Sequence, residues 1–328
     1  MKITTAHGSG GKETGTLIQT IFAAQFQNPV LDRMEDAAVV PGSAQIAMTT
    51  DSFVVDPIFF RGGDIGRLAV CGTVNDLLVS GAVPQYLTCG FILEEGLDTD
   101  DLERVVHSMQ QTAQEAGVSI VAGDTKVIEG HGGLYINTAG VGFVPEGRVV
   151  GARQIQPGDK VLVSGNLGDH HTTILCARLA METEISSDCA PLGGMVGALF
   201  DAGIAVHAMR DITRGGLGQV LNEYAKASGT CITIEETQLP VSPSVLHLSG
   251  VLGLDPLFMG NEGKLCAIVA PRDAENALQI LRSSPYGADA RICGTVTDQD
   301  AGIVLMETKI GGTRVVPELY GEGLPRIC

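Results

Sequence analysis

The sequence predicts a two-domain protein, α/β in its first half and α+β in its second, followed by a mobile C-terminal tail. Three observations carry that prediction. The chain has 328 residues, more than one hydrophobic core usually organises, so two domains of roughly 150 residues each are expected. Apolar residues make up 44% and charged residues 18%, a globular composition with ample core material. Strand-like and helix-like apolar periods alternate along the chain and fade only after about Gly311.

In the first domain, 1–155, "AQIAMTTDSFVV" reads as a buried strand over 44–55 and "DIGRLAVCGTVNDLLVSGA" as a mostly apolar helix over 64–82. "QYLTCGFILEE" over 85–95 is a strand. Residues 98–116 form an amphipathic helix with Leu102, Val105, Val106, Met109, Ala113 and Ala116 on one face. Asp98 or Thr99 caps it, and Asp100, Asp101 and Glu103 suit the positive end of its dipole. Strands over 118–129 and 134–145 complete the domain.

Pro157, Gly158 and Asp159 mark a turn where the second domain, 156–310, begins. "DKVLVSG", 203–213, "CITIEETQL", "GKLCAIVA" and "ARICGTV" are its strands. Its helices are 170–181, a segment from Gly215 that places Leu217, Val220, Leu221, Tyr224 and Ala225 on one face, and 273–283. The remainder, 311–328, holds four glycines and two prolines, which suits an extended tail. Fully extended, those 18 residues reach about 60 Å.

Lys and Arg number 21 against 38 Asp and Glu, a formal net charge of −17. Such a surface repels nucleic acid and anionic lipid, and any phosphate ligand needs a cation alongside it. No apolar run is long enough for a membrane-spanning helix. The N-terminus "MKITTAHGSGG" lacks an apolar signal core, so a cytoplasmic location is expected. The eight cysteines form no CxxC pair. Seven read as small buried hydrophobes in a reducing compartment. Cys328 ends the chain with nothing after it to bury it, so it reads as a chemical handle.

Aspartates recur beside small residues at strand ends and turns: Asp36, Asp51, Asp76, Asp124 and Asp211. Each alone reads as a cap or turn residue. Together they are a set of hard oxygen ligands of the kind Mg²⁺ takes when it accompanies a triphosphate. "HGSGGK" over 7–12 is glycine-rich without P-loop spacing; Lys12 is its candidate phosphate contact. Lys126, after Asp124, and Glu262, between Asn261 and Gly263, are charges set in apolar surroundings. Such charges are either paired structurally or tuned for proton transfer. His170 and His171 have no third ligand at a telling spacing and read as exposed residues at a helix start.

The motifs "HGSGG", "TDSFVVDPIFFRGGDIGRLAVCGTVNDLLVSGA", "CGFILEEG", "AGDTKV", "LVSGNLGDH", "RDITRGG", "NEGKL" and the terminal "PRIC" together resemble the HypE hydrogenase-maturation family. That family sits in the PurM-like superfamily of aminoimidazole ribonucleotide and selenophosphate synthetases. "PRIC" is the most specific element; the aspartates alone indicate the superfamily. The resemblance implies a carbamoyl group carried on the thiol of Cys328 and dehydrated with ATP to a thiocyanate. The cyano group then serves the iron of a [NiFe]-hydrogenase. It implies HypF as carbamoyl donor, the HypC–HypD complex as acceptor, and a homodimer built on the first domain. By motif match, Asp36, Asp76 and Asp211 would hold Mg²⁺ with ATP, and Asp51 and Asp124 add to that set. Lys126 and Glu262 match positions suited to proton transfer, and the sequence leaves the base open between them. Gly11 stands before Lys12, where selenophosphate synthetases place a reactive cysteine or selenocysteine, which argues against selenide chemistry. Three other readings remain: a non-catalytic carrier, a small-molecule synthetase of the same superfamily, and a redox thiol protein without a resolving cysteine nearby.

Overall fold

The apolar period at 44–55 becomes β1 (Ile46–Phe53), an edge strand rather than a buried one. Its residues alternate, with Ile46 52% and Met48 70% exposed while Phe53 is 5% exposed. The apolar residues read from sequence as core split between two faces, because only one face of this sheet is covered by helices. The computed structural model describes residues 1–9, 11–34 and 37–319, and these divide into two units: 1–77 with 82–146, and 78–81 with the chain from 147 onward.

In the first unit a helical segment runs from α1 (Lys12–Leu17) into wider turns at Ile18–Ala23. After β1, the short strands β2 (Phe59–Phe60) and β3 (Gly63–Asp64) pair with each other and lead into α2 (Ile65–Val79). Ile65, Leu68, Ala69, Val70, Cys71, Val74 and Leu77 of α2 are all buried, as expected for a helix apolar on every side. The strand β4 (Val83–Glu94), helix α3 (Thr99–Ala116) and strand β5 (Ser119–Ile128) make a parallel crossover, and β6 (Leu134–Phe143) joins antiparallel. The sheet order is β1-β6-β4-β5. The Asp98 carboxylate caps α3 by accepting from the Asp100 amide at 3.3 Å, and Gly117 ends the helix with φ 71°, a left-handed C-cap that glycine adopts without penalty. The predicted face of α3 is the buried one: Leu102, Val105, Val106, Met109 and Ala113.

The second unit is a seven-stranded sheet in the order β13-β12-β9-β11-β7-β10-β8. Its strands are β7 (Lys160–Val163), β8 (Val206–Asp211), β9 (Cys231–Glu235), β10 (Leu265–Val269), β11 (Arg291–Thr297), β12 (Val304–Glu307) and β13 (Thr313–Val315). All pair antiparallel except β9 with β12. The helices are α4 (Asp169–Arg178), α5 (Gly193–Asp201), α6 (Gly216–Ser228), α7 (Pro243–Leu252) and α8 (Ala274–Ser283). Leu217, Val220, Leu221, Tyr224 and Ala225 of α6 face one core with Val161, Val163, Ile232, Ile268 and Val296.

The first part of the predicted tail is held in the second unit. β13 pairs with β12, and Val316 is fully buried in the core of the second unit. The Asn222 amide donates to the carbonyls of Val316 and Pro317, each at 3.3 Å, and Lys226 pairs with Glu318 at 2.6 Å. The Leu319 amide donates to the Gln219 side chain at 3.5 Å. Residues 313–315 are thus fastened to β12 and 316–319 along one face of α6; of the four glycines that suggested looseness, Gly311 and Gly312 sit at the turn just before β13. Tyr320–Cys328 lie outside the described residues. Seven cysteines are buried and free, as expected. Among the described residues no helix is long and apolar enough to cross a membrane.

Candidate functional site

A cavity of about 330 Å³ lies along β5 in the first unit, a size typical of small-molecule sites. Its walls are apolar at Ile18, Phe22, Phe91 and Ile120 and polar at Thr14, Asp124 and Lys126. Gly8, from the glycine-rich stretch, forms part of its rim. A Cβ on Gly8 would sit 2.8 Å from that of Val127 and 2.9 Å from its amide nitrogen, so only glycine lets this loop press against β5. Lys12 lines a separate cavity with His7, Glu13 and Glu103. Asp36 lies outside the described residues.

The sheet sorts the predicted acids onto two faces. Asp51, Thr138, Cys89 and Gly123 are register partners across β1, β6, β4 and β5. This row faces α2: the Thr138 hydroxyl contacts that of Thr73 and donates to the Ala69 carbonyl at 3.3 Å. Gly72 lets β1 approach; a Cβ there would lie 2.8 Å from the Phe53 ring and 3.7 Å from Asp51 Oδ2. On the same side the Thr49 hydroxyl donates to Asp76 Oδ2 at 2.8 Å. Asp51 and Asp76 are therefore brought together between β1 and α2. The next row is Ser52, Asn137, Gly90 and Asp124, on the face without helices. Lys126 follows there and pairs with Asp124 at 3.3 Å, with side chains 68% and 70% exposed.

Asp211 and Glu262 belong to the second unit, and Cys328 lies outside the described residues. Asp211 ends β8 opposite Leu265 of β10 and is buried. The loop of Asn261, Glu262, Gly263 and Lys264 runs beside it, tied by Asn261 N–H to Ile212 carbonyl and Ile212 N–H to Lys264 carbonyl, both 2.9 Å. Asn261 is fully buried; its Oδ1 accepts from Gly168 N–H at 2.7 Å, and its amide group donates to the carbonyls of Ile212 and Met259. Glu262 is 8% exposed. Its amide donates to Asp188 Oδ1 at 3.1 Å, and that of Gly263 to Asp188 Oδ2 at 3.3 Å. Lys264 Nζ is 3.6 Å from the same carboxylate.

His170 and His171 are not exposed. They are 0% and 3% exposed, because α4 starts in the interior, after Gly168 in the left-handed region at φ 87°. Ser187 Oγ lies 2.8 Å from His170 Nδ1, and Gly260 N–H donates to His171 Nδ1 at 3.5 Å. Burial pushes both imidazoles down to about 4. Burial, aided by the Asp188 charge, pushes the Asp169 carboxyl up to about 6. Asp188, Lys264, Asn261 and Asp169 were not among the predicted site residues. Asn261 and Lys264 flank Glu262 in the quoted "NEGK", so a signal existed for them. Asp188 sits in "SSDCAPLGG", where no spacing marks it.

Residues 34–144 match the AIR synthase related protein N-terminal domain, and residues 156–307 match the AIR synthase related protein C-terminal domain. A carbamoyl dehydratase HypE of Rhodobacter capsulatus is 48% identical over 335 aligned positions, covering 100% of this chain and 98% of that protein. A crystal structure of hydrogenase maturation protein HypE in complex with ATP is 46% identical, superposes with a TM-score of 0.95, and is covered 99%, as is this chain. A chain from a crystal structure of a HypE–HypF complex is also 46% identical, with a TM-score of 0.81, covering 93% of this chain and 100% of that one.

Proposed function

Because this chain belongs to the family of HypE carbamoyl dehydratases, we propose that it dehydrates, with ATP, a carbamoyl group carried on Cys328 to a thiocyanate for [NiFe]-hydrogenase iron. The observation that carries this reading is the full-length likeness to a HypE structure in complex with ATP. The reaction takes R–S–C(=O)NH2 and ATP to R–S–C≡N, ADP, phosphate and a proton, the amide oxygen leaving with the phosphoryl group. An amide oxygen leaves poorly. ATP and its Mg²⁺ supply the phosphoryl group and charge screening that turn it into a leaving group.

This chain's residues supply the rest. The cavity along β5 offers apolar walls for a base and a glycine-bordered rim for close backbone approach. Asp51 and Asp76, held between β1 and α2, are the carboxylates of the first unit we assign to the metal–nucleotide, and the motif match adds Asp36 and Asp124 to them. Among the described residues no three His, Cys, Asp or Glu side chains form a metal-holding group. Lys12 serves at most a peripheral phosphate contact, given its separate cavity.

Between the two candidate bases we favour Glu262. It is buried on a loop pinned at both flanks. Lys126 is 68% exposed beside an anion, whereas a lysine serves as a base when burial or a cationic neighbour discharges it. Lys126 is then left to position the substrate. The partners follow the same reading: HypF as carbamoyl donor, supported by the HypE–HypF neighbour, and the HypC–HypD complex as cyano acceptor. The helix-free sheet face, with Ile46, Met48, Ile92 and Ile128 exposed, is the surface we assign to a homodimer. The cytoplasm is the compartment that keeps its thiols reduced.

Removing Cys328 separates the readings. We expect its deletion to abolish thiocyanate formation while ATP still binds. A small-molecule synthetase would keep full turnover without Cys328. A non-catalytic carrier would consume no ATP even when carbamoylated. Asp76→Asn should weaken ATP binding about 10- to 100-fold through loss of a charged acceptor.

A further inference from the structure

Asp188 is 3% exposed at its side chain and spends both carboxylate oxygens on the loop that carries Glu262. Oδ1 takes the amide of Glu262 itself. Oδ2 takes the amide of Gly263 and faces Lys264 Nζ, whose other contact is the Gly263 carbonyl at 3.1 Å. The backbone of Asp188 is fitted as closely: a Cβ on Gly263 would lie 1.8 Å from the Asp188 carbonyl oxygen. The Glu262 carbonyl in turn accepts from Ala190 N–H at 3.5 Å. Two segments about 75 residues apart in sequence are thus clasped around one glutamate.

A merely structural clasp could be made with neutral groups. This one places a full negative and a full positive charge next to Glu262 in a buried setting, where charges act strongly on one another. The charge of Asp188 also reaches Asp169 and His170 of α4, and Asp169 further senses Lys264 and Asp289. We propose that Asp188, with Lys264, is a positioning residue for the dehydration step: it aims the Glu262 side chain and balances the charge that Glu262 experiences. The proposal rests on Glu262 as the base.

The test uses full-length protein carbamoylated on Cys328, followed through a single ATP-dependent dehydration across pH. Asp188→Asn should slow the step about 10- to 100-fold, the usual cost of disturbing a group that orients a catalytic one. ATP affinity should stay within about twofold of the parent, because the clasp is assigned to proton transfer and not to phosphate binding. Its acid limb should move to lower pH, since a neighbouring negative charge is gone. Lys264→Gln should move the limb the other way. It also serves as the test if Asp188→Asn does not fold. Opposite displacements are what a packing role would not produce. An unmoved limb in both variants, or a parental rate in Asp188→Asn, overturns the proposal. Glu262→Gln separates the two claims: a parental rate in that variant refutes the base assignment itself, whereas its inactivity beside a normal Asp188→Asn refutes only the positioning role.

Discussion

Gly263→Ala probes the clasp with a single methyl. The added Cβ would lie 1.8 Å from the Asp188 carbonyl oxygen, whereas real Cβ contacts essentially never fall below 3.0 Å. Both partners are backbone in a packed interior, so one chain must yield by roughly 1 Å. The bonds from the Glu262 and Gly263 amides to Asp188 are 3.1 and 3.3 Å long, and such a movement takes them past bonding range. Hydrogen bonds to a charged group are worth about 1.5–3 kcal/mol each, so losing the two costs about 3–6 kcal/mol. In a unit of this size that lowers Tm by roughly 6 °C at the least. Calorimetry and denaturant melts of the full chain measure it, and single-turnover dehydration should fall alongside. A Tm within about 1 °C of the parent with normal dehydration would show that the loop is not held as described.

Three further outcomes follow from the same interior. His171, pushed down to about 4 by burial, contributes stability that is present above the ordinary histidine value of 6.5 and lost as pH falls through about 4; His171→Gln should flatten the decline in Tm across that interval. Asp169 behaves oppositely. Its carboxyl, pushed up to about 6, favours the fold below 3.8 and loses that contribution as pH rises through about 6. Asp169→Asn should therefore gain Tm relative to the parent at pH 7–8, with the gain vanishing near pH 4. Val316→Ala, at a fully buried position, should cost about 2 kcal/mol and increase amide exchange over 313–319, while equal protection in both proteins would deny that this stretch is anchored.

Most of the elements were legible in the sequence because their apolar periods matched one partner surface. The face of α3 and the five core residues of α6 were read from spacing alone. β1 was not, because an apolar residue looks the same whether a helix or an open face lies above it; Ile46 and Met48 needed the sheet order to be placed. The histidine pair failed for a related reason. A polar pair at a helix start normally meets solvent, and only the packing of Ser187 and Gly260 against α4 puts it inside. At the site, Asp51 and Asp76 could be named from sequence, but their meeting between β1 and α2 could not. Asp188 carried no signal, since its partner loop is distant in sequence and its neighbours follow no pattern. The fastening of 316–319 was hidden because Asn222, Lys226 and Gln219 become one receiving surface only once α6 is formed.

The most direct measurement is the intact mass of the C-terminal peptide after HypF-dependent carbamoylation and then Mg–ATP. Gain of one carbamoyl group on Cys328, followed by loss of one water as ATP is consumed, is the predicted result. A carbamoyl adduct that persists unchanged while ATP is hydrolysed, or ATP turnover that leaves Cys328 unmodified throughout, would contradict the terminal thiol as the seat of the chemistry.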